Sequence, residues 1–216
     1  MEQVKERGVA FIGSMVNAIL DGIKTNTRRP LSKLHAELID AHNVVRDDPV
    51  LLAMCPHGKV GDRLWVREAW RVSKRWDDAP PRDLPVHGLS VFYEAGGSCA
   101  NYQDGAGLKW THDRSYPPSK LDFAGRYRPP MFLPRWASRI LLEITEVRIE
   151  RVADISEEDA AAEGVARWAE GALSPDSCRE FTAAQKFVYL WDQIHGVGAF
   201  DRDAWVWVIV FKRITP

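Results

Sequence analysis

Two spacings of apolar residues run along this chain, and each predicts its own kind of element. Val9-Ala10-Phe11-Ile12 is a short apolar run closed by Gly13, the mark of a buried strand. Ser14 stands as a cap for a helix from Met15 to Asp21, with Met15, Ile19 and Leu20 on one face and Gly22 at its end. The next six residues, Lys24-Thr25-Asn26-Thr27-Arg28-Arg29, hold no apolar position, and Pro30 follows. They predict a polar, charged turn. Between Leu31 and Pro56 the pattern is mixed: Leu34, Leu38 and Ile39 make a helical stripe that Asp47-Asp48-Pro49 breaks.

From Arg63 to Val72 the period is two. Leu64 and Val66 face one way and Arg63, Trp65 and Arg67 the other, after the turn residues Gly58 to Asp62. This predicts one strand with an aromatic, cationic second face. Residues 73–130 are punctuated by Pro80-Pro81, Gly96-Gly97, Gly105, Gly107, Pro117-Pro118 and Pro129-Pro130, and only Leu89–Glu94 reads as a strand there. A long strand is predicted over Arg139–Val152, with a phase slip near Thr145. Ser156 caps a short helix with an acidic first turn that ends at Gly164, and its last turn carries Glu163, where the helix dipole disfavours a carboxylate. Residues 166–178 read as a second loop. Phe181–Ile194 is an amphipathic helix, and Ala204–Arg213 is a strand apolar on both faces, which places it centrally. Strands joined by irregular connections predict an α+β fold: a mixed β-barrel with flanking helices, one domain over residues 1–216 with long insertions at about 73–130 and 166–180.

Composition narrows the function classes. The chain has 216 residues, 45% of them hydrophobic and 27% charged, as in an ordinary globular protein. A net charge of −1 excludes a whole-molecule basic field for nucleic acid, though not a local basic pocket. Nine Trp supply flat surfaces for a core or for stacking on a base. Cys55, Cys99 and Cys178 are too widely spaced for a disulfide framework. No apolar signal core opens the chain and no apolar run spans a membrane, so a cytoplasmic location is expected.

Common site signatures are absent. Phosphate-binding and dinucleotide-binding glycine loops, a zinc-protease helix and a serine elbow are all missing, and the six His are scattered, so no cofactor is expected. Cys55-Pro56-His57 offers two metal ligands without a second pair, so no metal is expected. Lys109-Trp110 and Arg126-Tyr127-Arg128 interleave charge with rings, either to stack on a ligand or to anchor loops. In the cluster after Gly22, a lysine three residues from a hydroxyl serves as its base if burial lowers its pKa; otherwise the cluster is a solvated turn.

The motifs in order carry a resemblance. They are Lys24-x-x-Thr27-x-Arg29, Gly61-Asp62-Arg63-Leu64-Trp65-Val66, Ile155-Ser156-Glu157-Glu158-Asp159-Ala160-x-x-Glu163-Gly164, and Trp205 to Phe211. Together they resemble the ASCH domain family, whose fold is PUA-like. Phe132 to Arg139 and Leu190 to Ile194 are similar to phage and prophage members, while most of 73–128 and 166–180 lies outside the resemblance. Small bacterial members are amidohydrolases that remove the acyl group from the exocyclic amine of acetylcytidine. The resemblance implies Lys24, Thr27 and Glu163 as the catalytic set, with Arg29 holding substrate or the turn. It implies a nucleoside substrate. Asn26, Trp65, Arg67, Glu68 and Trp70 are the further candidate substrate-binding positions, and backbone N–H groups of the 24–29 turn, with Arg29, the candidates for holding the oxyanion. The second reading is an RNA-binding PUA-like module or a ribonuclease, with Arg28, Arg29, Arg63, Arg67 and the Trp set forming the cleft. No membrane partner is expected, and the oligomeric state stays open.

Overall fold

The computed structural model describes residues 3–42, 48–101, 108–111 and 121–214. In chain order the elements are β1 (Glu6–Ala10), α1 (Gly13–Leu20), β2 (Asn26–Pro30), α2 (Lys33–His42), α3 (Pro49–Ala53), β3 (Arg63–Arg67), β4 (Trp70–Val72), β5 (Leu89–Tyr93), β6 (Ser98–Asn101), β7 (Leu108–Thr111), β8 (Leu141–Arg151), α4 (Glu157–Ala162), α5 (Val165–Ala172), α6 (Pro175–Glu180), α7 (Ala183–His195) and β9 (Trp205–Ile214). The chain divides into two compact units. The first holds residues 3–7, Ala18–Leu64 and Leu142–Ile214, and the second holds Gly8–Asn17 and Trp65–Leu141.

The fold is mixed α+β. One sheet has five strands in the order β1-β3-β8-β9-β2. Arg63 N–H donates to Lys5 O at 2.8 Å and Phe11 N–H to Arg67 O at 3.1 Å, a register that rises together and makes β1 and β3 parallel. Ile144 N–H donates to Asp62 O and Val66 N–H to Ile140 O, so β3 and β8 are antiparallel. β1 and β2 stand at the two ends of this order, so the expected barrel is an open sheet. β9, interior to the sheet, buries Val206, Trp207, Val208 and Ile209 in succession, as its two apolar faces predict. Along β8 the buried positions pass from Leu142 and Ile144 to Ile149, which is the phase slip read near Thr145.

Several expected boundaries move. The charged turn of 24–29 is largely β2, an antiparallel edge strand against β9 in which Thr27 faces Ile209 and Arg29 faces Trp207. Asp48 starts a helix: its Oδ1 accepts the N–H of Val50 and Leu51 at 2.8 and 3.1 Å, with Pro49 in the first turn. The loop expected over 166–178 is α5 and α6. Val165, Trp168 and Ala169 form the buried stripe of α5, and Ser174 caps α6 ahead of Pro175. The strand from Arg63 breaks at Glu68-Ala69 into β3 and β4.

The second unit contains the antiparallel order β4-β5-β6-β7 where an excursion with one strand was expected. Gly96 (φ 88°) and Gly97 (φ 84°) make the turn from β5 to β6, a left-handed pair that residues with a Cβ rarely adopt. Trp70, Val72, Leu84, Leu89, Val91, Tyr93, Leu133 and Ala137 form its core. The side chains of Lys109 and Trp110, and Cys99, lie outside the described residues. Among the described residues no helix is long and apolar enough to cross a membrane.

Candidate active site

Backbone geometry puts Lys24 in place. After α1 the chain wraps back, so that Ile23 and Lys24 both donate their N–H to Ala18 O, at 2.9 and 3.0 Å. Thr25 N–H donates to Ala162 O at 2.9 Å, and Thr25 O accepts from Phe211 N–H at 2.8 Å. One residue thus ties the end of α4 to the β2–β9 pair, and Lys24 comes to lie against Glu163, the C-terminal cap of α4. Gly164 follows with φ 79°. A Cβ there would stand 2.7 Å from Ala18 Cβ and 3.2 Å from Lys24 Cβ, so both conformation and space require glycine.

Lys24 Nζ donates to Glu163 O at 2.9 Å and to the carboxylate oxygen Glu163 Oε2. The lysine side chain is 1% exposed and the glutamate 5%. Burial, the largest influence, pulls the Lys24 pKa below the ordinary lysine value. Glu163 opposes this, and Arg29 and Arg28 add to the lowering. The ammonium form is less favoured than in an exposed lysine, the direction that a general base needs.

Strand alternation sorts the neighbours: Asn26 and Arg28 share one face of β2, Thr27 and Arg29 the other. On α4, Asp159 and Glu163 stand four apart on one helix face. Asn26 Nδ2 donates to Asp159 O at 3.3 Å and to its Oδ1 at 3.1 Å. Arg28 Nη2 donates to Asp159 Oδ2 at 2.7 Å and to Glu150 Oε2 at 3.0 Å, while its Nη1 lies 3.7 Å from Glu163 Oε1. Arg148 closes the network by donating to Glu150, at 2.6 Å, and to Asp159. Asn26 Oδ1, Arg28 Nη1 and Glu163 Oε1 are buried and have no hydrogen-bond partner among the described residues. Buried polar atoms left this way are uncommon.

Thr27 is 4% exposed, beside Ile209. Arg29 shares its face. Burial lowers the pKa of its guanidinium, with Glu163 opposing. Two histidines of the first unit feel Arg29. Burial first, then Arg29 and Arg7, push His57 down to about 4, and burial followed by Arg29 and Arg202 lowers His195. Both are neutral at pH 7 and add no charge beside Arg29. Burial pushes the Cys55 thiol up, away from the thiolate that a metal binds.

Comparisons with protein-family models, with curated proteins and with solved structures find no match.

Three sequence expectations for the site need correction. The backbone N–H groups of Lys24 and Thr25 are already bonded. Since Thr25 O and Leu31 N–H both pair with β9, ladder alternation gives the inward-bonded positions to Thr27 and Arg29 and directs the N–H of Asn26 and Arg28 to the outer edge. The turn therefore offers no continuous row of backbone donors for an oxyanion. Trp70, expected against a base, is fully buried in the core of the second unit and shows no open face. Glu68 is 1% exposed and pairs both carboxylate oxygens with Arg139, at 2.8 and 2.7 Å, so it presents no open face to a substrate. Trp65 and Arg67 also belong to the second unit, where Arg67 Cζ stands 4.4 Å over the Trp65 ring and its Nη1 donates to Met131 O at 3.4 Å.

Sequence reasoning missed Arg28, Asp159 and Glu150 as a unit. A signal existed in the four-residue spacing of Asp159 and Glu163 on the predicted helix. The two-residue spacing of Asn26 and Arg28 becomes a signal only when the segment is read as a strand.

Proposed function

We propose that the chain is a metal-independent amidohydrolase that removes the acyl group from the exocyclic amine of N(4)-acylated cytosine nucleosides, and that it is an ASCH domain with a PUA-like ancestry for its five-stranded sheet. The observation that carries the reading is the buried contact between Lys24 Nζ and Glu163, two residues 139 positions apart that the family motif pairs. The lowered Lys24 pKa agrees with it.

In this reading neutral Lys24 takes the proton of the Thr27 hydroxyl. Thr27 Oγ attacks the acyl carbonyl, or positions the water that does. The tetrahedral intermediate collapses by breaking the C–N bond, and the proton held on Lys24 passes to the leaving cytosine amine with Glu163 orienting the lysine. Where Thr27 is the nucleophile, water then hydrolyses the acyl-threonine and returns the proton. Arg29 supplies charge for the oxyanion. Because Lys24 must be neutral to begin, the rate rises with pH through the lowered Lys24 pKa.

The test is the release of cytidine from N(4)-acetylcytidine, followed by absorbance. Wild type turns over and Thr27→Ala loses at least about 100-fold in rate. Activity of Thr27→Ala near wild type removes Thr27 as nucleophile, and no turnover by wild type removes the amidohydrolase reading. The RNA-binding alternative draws on Arg28 and Trp70, which are engaged in ion pairs and in a core. Salt-sensitive RNA binding by a protein inactive on acetylcytidine would favour it.

A further inference from the structure

We propose that Arg28 is a positioning residue. Its guanidinium, anchored on Asp159 and Glu150, holds the far side of the Glu163 carboxylate and so keeps Lys24 from being over-stabilised as an ammonium. The inference deepens the reading above and rests on Lys24 as the base. It starts from geometry. The Arg28 side chain is completely buried, and Nη2 is fixed by two carboxylates at 2.7 and 3.0 Å. Two anchors leave the guanidinium little freedom, and its Nη1 edge is aimed at Glu163 Oε1, 3.7 Å away, while Glu163 Oε2 is engaged by Lys24. The carboxylate therefore stands between two cations. The longer separation makes the Arg28 side electrostatic, not a hydrogen bond.

The charge arithmetic gives a sign. Lys24 is influenced by Glu163 on α4 and by Arg28 and Arg29 on β2. Behind Arg28 stand Asp159 on α4 and Glu150 and Arg148 on β8. Arg28 repels a proton on Lys24 directly, and it also partly neutralises the carboxylate that attracts one. Both effects favour the neutral amine. Arginine suits the task because it stays charged when buried and can anchor on two acids while presenting a third edge. Phe187, whose ring centroid lies 5.9 Å from Arg28 Cζ, covers the guanidinium.

The experiment follows the Lys24 Cε–Nζ signals by NMR as a function of pH in the full chain, with Lys24→Arg to assign them. In Arg28→Gln the Lys24 titration midpoint moves upward. In Arg28→Lys, which keeps a cation, it stays near wild type. In Glu150→Gln, which leaves Arg28 less neutralised, it moves downward. An Arg28→Gln midpoint that is unchanged or lower overturns the proposal. If circular dichroism shows that Arg28→Gln does not fold, Glu150→Gln decides, and an unchanged or raised midpoint there overturns it. These midpoints need no turnover, so a wild type inactive on acetylcytidine would refute the amidohydrolase reading and leave the Arg28 result standing on its own.

Discussion

Each of the two units buries a glutamate against a cation, and the difference between the two pairs separates structural from chemical use of the same groups. In the second unit, Glu68 has both oxygens on Arg139 in a bidentate pair, and Arg139 lies 4.1 Å over the Tyr93 ring. Tyr93 in turn donates its hydroxyl to Ala137 O at 2.6 Å. Burial raises the Glu68 pKa and Arg139 opposes it. That carboxylate is closed off. In the first unit, Glu163 gives one oxygen to Lys24 and leaves the other without a hydrogen-bond partner among the described residues, 3.7 Å from Arg28. Its partner is a lysine, which can lose its proton, where Arg139 cannot. A closed pair fixes a fold; an open pair with a removable proton can do chemistry.

The same substitution on both sides sharpens this contrast. Glu68→Gln strands a buried guanidinium that cannot neutralise itself, so unfolding by denaturant should show a loss of about 3–5 kcal/mol. Glu163→Gln leaves a lysine, which can lose its proton where an arginine cannot, and the stability loss by the same measurement should be smaller. Its main effect should fall on acetylcytidine turnover, reduced at least about 100-fold. Equal stability losses in the two variants would break the comparison. Gly164→Ala is the next largest. It forces a Cβ to within 2.7 Å of Ala18 and strains a left-handed residue, and should cost about 1–3 kcal/mol in denaturant unfolding. The smallest effect concerns pH. The rate should climb as pH rises through the lowered Lys24 pKa, and a flat pH profile would deny Lys24 the role of base.

What the sequence disclosed follows from which residues obey a period. The interior β9, the phase slip in β8 and the Ser156 cap, whose Oγ accepts Asp159 N–H at 3.1 Å, all carry local signals, and each stands where its pattern placed it. β2 carries none. Its inward side chains, Asn26 and Arg28, are polar because they face carboxylates, so apolar alternation could not reveal a strand. β5 stands where Leu89–Glu94 was read as a strand, and β4 lies within the run read from Arg63, but β6 and β7 are four residues each, too short for a period to register. α5 was hidden because Gly164 reads as a stop signal, while here its left-handed conformation also turns the chain into the next helix. For the candidate site, a motif could name Lys24 and Glu163, but their contact depends on Thr25 bridging Ala162 and Phe211, which is tertiary information.

The most direct measurement compares cytidine release from N(4)-acetylcytidine by wild type and by Lys24→Arg, which keeps the positive charge near Glu163 but has no proton to give up at working pH. The account predicts steady turnover by wild type and a loss of at least about 100-fold in Lys24→Arg, with circular dichroism showing a retained fold. Turnover by Lys24→Arg at the wild-type rate would contradict it.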